Sequence, residues 1–236
     1  MSESKTKIIV DIEFNSRATK CRATKLSRTK AWIDYRMSIF NKFTLQSLKK
    51  QMNQEFLTLV RYDKNTKNLI KAALSNYAPL PTNIKFIASD AYENIIKKNI
   101  IGYDKLYLVQ LDCDDMYHKT FIDQLHAYRP KEGTQVLINQ KGYVYDSINH
   151  RLGHWYYLSP PFYVTVNKVK DYLEGKRIRI GSHHAIAIKY PHEIIPKTNY
   201  IVLIHDKNTM NKFDSHRVGS IINNKDEIRN ILKDFM

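Results

Sequence analysis

An apolar run that ends abruptly on three carboxylates, YLVQLDCDDMY from Tyr107 to Tyr117, constrains this chain more than any other stretch. Leu106, Leu108, Val109 and Leu111 have the composition of a buried strand, interrupted by the polar Gln110. Asp112, Asp114 and Asp115 follow at the strand's carboxyl end. In open α/β sheets that end is where ligands collect. Carboxylates this close raise one another's pKa unless a cation neutralises them, so the cluster is either solvated or metal-bound. The plainer alternative is a solvated turn that caps a helix starting near Lys119, with Asp114 or Asp115 as N-cap.

Upstream, the chain alternates strand and helix. Lys7–Phe14, Glu55–Tyr62, Asn83–Ala88 and the Tyr107 run read as strands. Between them, Ala31–Gln51, Leu69–Tyr77 and Ala91–Lys98 read as helices, the first with Trp32, Tyr35, Ile39, Phe43 and Leu48 near the 3.6-residue repeat. This β-α-β-α-β-α-β order predicts a mostly parallel sheet flanked by helices. Lys119–Tyr128 reads as a further helix. Short strands are then expected at Thr134–Asn139, Gly142–Tyr145, Trp155–Leu158, Phe162–Val166, Arg177–Ile180 and Tyr200–Ile204. A helical turn at Asp171–Glu174 and a terminal helix at Glu227–Phe235 complete a mixed, loop-rich second half.

Just after the first strand, Asn15–Lys30 carries Arg17, Lys20, Arg22, Lys25, Arg28 and Lys30 with no acid. Its place matches that of phosphate-binding loops in α/β folds, so a basic loop closing over a phosphate-bearing ligand is expected; an exposed tether is the alternative. The whole chain carries 38 Lys+Arg against 23 Asp+Glu, a formal net charge of +15. That surplus favours anionic partners, although scattered lysines also serve solubility.

Other function classes fall away on composition. A 43% hydrophobic content supports a core and argues against disorder. Cys21 and Cys113 are the two cysteines, too far apart for a zinc knuckle or a disulfide framework. The polar start MSESKTK lacks an apolar signal core, and no run approaches the ~20 apolar residues that span a bilayer. A cytoplasmic protein is the expectation.

Four blocks together resemble a known family: WIDYRMSIFNKFTLQSLKKQ, FLTLVRYD, LDCDDMYHKTFIDQL and, late in the chain, YIVLIHDKN. In that order they are similar to nucleotide-sugar glycosyltransferases of the GT-A fold, and more closely to the rhamnosyltransferase family, over roughly Ile8 to Phe213. Gln110 departs from the family pattern, which has Arg before the Leu-Asp pair. The resemblance implies one GT-A (Rossmann-like) domain over 1–236. Residues 1–133 would be the nucleotide-sugar half, ending in the DxD motif, and 134–236 the acceptor side. It also implies a nucleotide-diphosphate sugar donor and a divalent cofactor, Mn²⁺ or Mg²⁺, which would neutralise the leaving diphosphate.

Carried over residue by residue, the resemblance puts Asp112 near the ribose and metal, Asp114 on the metal, and Asp115 beside the sugar. His205 would complete the metal shell. Asp63 and Asp90 would hold the nucleoside, and Arg17 and its loop the diphosphate. A general base for an inverting transfer would come from Asp146 or from His183 and His184. The acceptor class implied is polar or anionic: a glycan, a teichoic-type polymer or modified DNA. A metal-dependent nuclease and a basic nucleic-acid-binding module remain as alternatives, while a carboxylate phosphatase would want its motif on the first strand.

Overall fold

The computed structural model describes residues 4–16, 23–207, 213 and 217–236. Residues 17–22 of the basic loop, Arg17 and Cys21 among them, lie outside the described residues.

The first half folds as its periodicity dictates. Strands β1 (Thr6–Glu13), β2 (Leu57–Tyr62), β3 (Ile84–Ala88) and β4 (Lys105–Asp112) are mutually parallel in the order β3-β2-β1-β4. Ile8, Val10 and Ile12 point to one face of the sheet, Ile9 and Leu106 to the other, and all are fully buried. Both faces are therefore covered, as parallel sheets require. The first face packs on α2 (Lys30–Lys42) through Ile33, Met37 and Phe40, a stripe at helical spacing, and on α4 (Lys67–Leu74) through Ile70. The second packs on α5 (Tyr92–Asn99) through Ile96, and on α7 (Val169–Leu173) through Val169 and Tyr172.

The helix expected over Ala31–Gln51 is broken in two. A short turn, α1 (Ala23–Leu26), precedes α2, which Thr29 caps by accepting the Trp32 amide. Phe43 then leaves helical geometry, with φ −120° and ψ −71°, before α3 (Thr44–Lys49). Its ring enters a second core with Met116, Leu203 and Phe235, away from the stripe that α2 buries. Serving two cores is what breaks the helix.

The second half does not stand apart. Strand β9 (Tyr163–Lys168) runs antiparallel beside β4, followed by β6 (Val136–Ile138) and β10 (His192–Ile194), so the described residues form one seven-stranded sheet. A five-stranded sheet, again counted over the described residues, stacks β12 (Val218–Ile222), β8 (Arg151–Tyr156), β7 (Lys141–Asp146), β11 (Tyr200–Ile204) and the two-residue β5 (Met116–Tyr117). Helix α6 (Phe121–Ala127) follows β5, α8 (Ile186–Lys189) precedes β10, and α9 (Lys225–Leu232) closes the chain, capped by Asn224. The architecture is the expected α/β one, a mostly parallel central sheet flanked by helices.

One expected strand is absent. Arg177–Ile180 makes no ladder: the Ile178 amide donates to the Asn167 side chain at 3.2 Å, and Arg177 pairs with Glu93. No described helix is long and apolar enough to cross a membrane.

Candidate active site at the carboxyl ends of the parallel strands

Register brings the chemistry to one edge. Glu13 at the end of β1 lies beside Asp112 of β4 and Arg61 of β2. Strand alternation sets Asp11, Glu13, Gln110 and Asp112 on one face of the sheet. After Asp112 the chain turns, and the Asp115 amide donates to the Asp112 carbonyl at 3.2 Å. This turn is no helix cap: α6 begins at Phe121 with Thr120 before it, well beyond both Asp114 and Asp115.

Asp114 and His205, 91 positions apart in sequence, meet at this turn. Asp114 Oδ2 and His205 Nε2 are 3.2 Å apart, and the two side chains are 14% and 2% exposed. On the other side of the imidazole, Nδ1 is 2.7 Å from the Tyr35 hydroxyl, which donates to Asp206. The Lys207 amide also donates to Nδ1, at 3.3 Å. Burial pushes the Asp114 carboxyl up, but hydrogen bonds from His205 and the Arg36 charge outweigh it and hold its pKa below the ordinary range. Asp114 is thus an anion, and a half-buried one.

Arg36 supplies its counter-charge. Nη1 is 3.1 Å from Asp114 Oδ2 and 3.2 Å from His205 Nε2, while Nη2 donates to Cys113 Sγ at 2.8 Å. Burial pushes the Cys113 thiol up to about 12, against the pull of Arg36, so it stays neutral at physiological pH. Tyr35 and Arg36 sit on one turn of α2, which the sequence pattern marked for its apolar stripe alone. Their signal was the presence of two polar, bond-forming residues inside the family-like block WIDYRMSIFNK.

The other expected site residues are distributed as follows. Asp115 is 4% exposed and turns inward, accepting the Leu203 amide on Oδ1 at 2.9 Å. Burial, with Asp114 and Asp112 adding to it, raises its pKa well above the usual carboxylate range. Asp63 closes β2, accepts the Asn65 amide at 2.9 Å and pairs with Arg28 Nε at 2.7 Å, so the last arginine of the basic segment is tied to the strand end. Asp90 is exposed, with Lys64 at 3.4 Å. Asp146 is 2% exposed and occupied within its hairpin, where it accepts from the Ile148 and Asn149 amides and pairs with Arg151 at 2.9 Å. The His183 and His184 ring centroids lie 3.9 Å apart with the planes tilted by 43°, Nδ1 of His183 on the Ser159 carbonyl and Nδ1 of His184 on the Tyr157 hydroxyl.

Adjoining the Asp11–Asp112 face is a cleft of about 310 Å³, lined by Asp11, Arg61, Tyr92, Gln110, Tyr172 and Arg179 among others. Arg61 bridges Asp11 at 2.6 Å and Glu13 at 3.0 Å and lies over the Tyr92 ring. Sequence reasoning missed this group, because Asp11 and Glu13 read only as the polar positions of an alternating strand.

The donors at the turn suit a divalent ion in part. Two ligands about 2.1 Å from a shared ion stand about 3 Å apart when adjacent, close to the Asp114–His205 separation. Among the described residues no cluster of three His, Cys, Asp or Glu assembles, so Asp112 does not join that pair as the carried-over ligand set required.

Solved structures with a similar chain course include S. aureus TarS 1-349 in complex with UDP, at 13% identity and TM-score 0.43, covering 84% of this chain and 60% of that one. A longer S. aureus TarS structure gives 13%, 0.42, 85% and 37% for the same quantities. A cytidylyltransferase from Leptospira borgpetersenii serovar Hardjo-bovis gives 11%, 0.39, 84% and 78%. The chain thus spans less than two thirds of either TarS structure. None of the curated proteins matches it. Residues 15–217 match the model of the family described as "Putative rhamnosyl transferase", and the chain belongs to that family of glycosyltransferases.

Proposed function

We propose that the chain transfers a sugar from a nucleotide-diphosphate sugar to an acceptor hydroxyl, with Mn²⁺ or Mg²⁺ held by Asp114 and His205. The observation that carries this reading is the convergence of those two side chains, 3.2 Å apart, at the carboxyl end of the central parallel strand. Such an ion keeps open positions for donor oxygens and water, so two protein ligands are in keeping with its chemistry. When bound, it supplies positive charge against the leaving diphosphate.

The chain's own residues divide the remaining work. Tyr35 holds the His205 ring through Nδ1, which fixes the direction of Nε2. Asp63 and Arg28, paired at the end of β2, face the nucleoside end of the donor, with Arg17 and its loop on the diphosphate and Asp90 at the margin. Asp112 and the cleft beside Asp11 and Arg61 take the sugar side. Asp115 and Asp146 are committed to backbone and arginine contacts. Base work therefore goes to the paired histidines, and above all to the exposed His184, whose ring Tyr157 orients. The acceptor is anionic in this reading, because the +15 charge favours a polyanion.

The test is a panel of nucleotide sugars offered with Mn²⁺, scored by donor hydrolysis and by ligand-induced thermal stabilisation. One donor is expected to raise the melting temperature and to be hydrolysed slowly, with Asp114→Asn abolishing both. Silence toward every donor, with metal and without it, refutes the reading. His184→Ala is expected to lower kcat by about 10²–10⁴ with donor binding intact.

A further inference from the structure

We infer that Arg36 occupies the cation position of the Asp114–His205 pair, so that its guanidinium and a divalent ion compete for the same two donors. This inference rests on the metal-assisted reading above and adds a resident competitor to it.

Three distances define the position. Arg36 Nη1 is 3.1 Å from Asp114 Oδ2 and 3.2 Å from His205 Nε2, and those two acceptors are 3.2 Å from each other. The nitrogen therefore sits at the apex of a near-equilateral triangle with the two atoms that would ligate an ion. An ion ligated by the same atoms would need that space, and the two cations repel besides. A second observation separates Arg36 from an ordinary structural arginine: its Nε is buried and has no hydrogen-bond partner among the described residues. A buried donor left unmatched is costly. The arrangement suits a side chain that changes partners. Once displaced, the planar fork matches phosphate oxygens, so the charge removed from Asp114 becomes available to the donor's diphosphate. Anchoring at the back is weak: Nη2 rests on the neutral Cys113 thiol, and the Trp32 ring lies 5.7 Å from Cζ.

The experiment measures Mn²⁺ binding to the whole chain without nucleotide, by the paramagnetic resonance of free Mn²⁺. Arg36→Gln is expected to bind Mn²⁺ about tenfold or more tighter than the wild type, because a like charge has left the site. Adding Asp114→Asn to Arg36→Gln is expected to erase the gain, which locates the ion at this pair. Arg36→Lys keeps the charge and should show little tightening. Should Arg36→Gln melt far below the wild type, Arg36→Met, which retains the apolar stem, repeats the measurement. Equal or weaker Mn²⁺ binding by the folded variant overturns the inference, as does an absence of Mn²⁺ binding in every form. The first result leaves the metal-assisted reading standing; the second removes its metal, while sugar transfer itself is tested separately by the donor panel.

Discussion

The Asp115 carboxyl accepts the Leu203 backbone amide, Oδ1 to N 2.9 Å, and so bolts the carboxylate turn to strand β11 two residues before His205. Only two residue pairs join β5 to β11, Tyr200 with Tyr117 and Ile201 with Met116. The side-chain bond extends that short ladder and sets His205 over Asp114. Burial, with Asp114 and Asp112 beside it, raises the Asp115 pKa well above the usual carboxylate range and so favours its neutral form, for which an amide of the same shape is a close substitute. Asp115→Ala leaves a buried amide unmatched and is expected to cost about 1–3 kcal/mol in urea unfolding. Asp115→Asn is expected to cost much less and to retain ligand-induced stabilisation. Equal losses for the two would show that the Leu203 bond is not what matters.

Tyr35 bears on the site through one atom. Its hydroxyl meets His205 Nδ1 at 2.7 Å, and the imidazole itself is 2% exposed. Tyr35→Phe removes that bond while keeping the ring, and loss of such an orienting partner typically costs 10- to 100-fold in metal affinity. Mn²⁺ affinity is expected to fall within about that range, with little change in melting temperature. An unchanged affinity would leave Tyr35 as surface packing alone.

Which parts of this were readable beforehand follows from where each force acts. The four parallel strands were legible because burial on both faces forces near-continuous apolar runs such as Ile8–Val10 and, with Thr58 as its one polar member, Leu57–Val60, and these stand out in any chain. Asp114 was legible as strand-end chemistry, and His205 from its place in the family-like block YIVLIHDKN. Arg36 was not, because a helix read by its apolar period says nothing about what its polar positions reach across 78 residues. Asp115 read like its neighbours, yet topology buries it: the turn aims it at a strand that arrives 88 residues later. Strand β12 was hidden for a local reason, since VGSII is short, glycine-bearing and exposed over three of its five residues.

Gly142 records a close approach that only the fold creates. A Cβ at this position would lie 2.4 Å from Cε2 of Tyr200, whose ring is stacked on Phe162 at 3.7 Å and fully buried. The stack cannot retreat without opening the junction between the two sheets. Gly142→Ala is expected to cost about 1–3 kcal/mol, the range of overpacked cores, read as a lower urea midpoint with an unchanged slope. Pairing it with Tyr200→Leu should recover part of the loss. A wild-type midpoint for Gly142→Ala would mean that the ring yields freely.

Asp146 gives the fold a definite acid limb. Burial pushes its carboxyl up, but hydrogen bonds from the Asn149 side chain and backbone, from Arg151 and from the Ile148 amide outweigh that and hold its pKa down at about 2. The folded value lies below the unfolded one, near 4, so the hairpin's contribution is complete above about pH 4 and is lost as pH falls toward 2. With Arg151 40% exposed and its charge screened by water, that contribution is about 1–2 kcal/mol. Asp146→Asn is therefore expected to be less stable than the wild type by this amount at pH 7, with the two urea curves converging between pH 4 and pH 2 as the wild-type carboxylate takes up its proton. A gap that persists unchanged at pH 2 would trace the loss to shape rather than charge. A gap that widens on acidification would reverse the sign of the argument, requiring a group whose pKa is raised on folding.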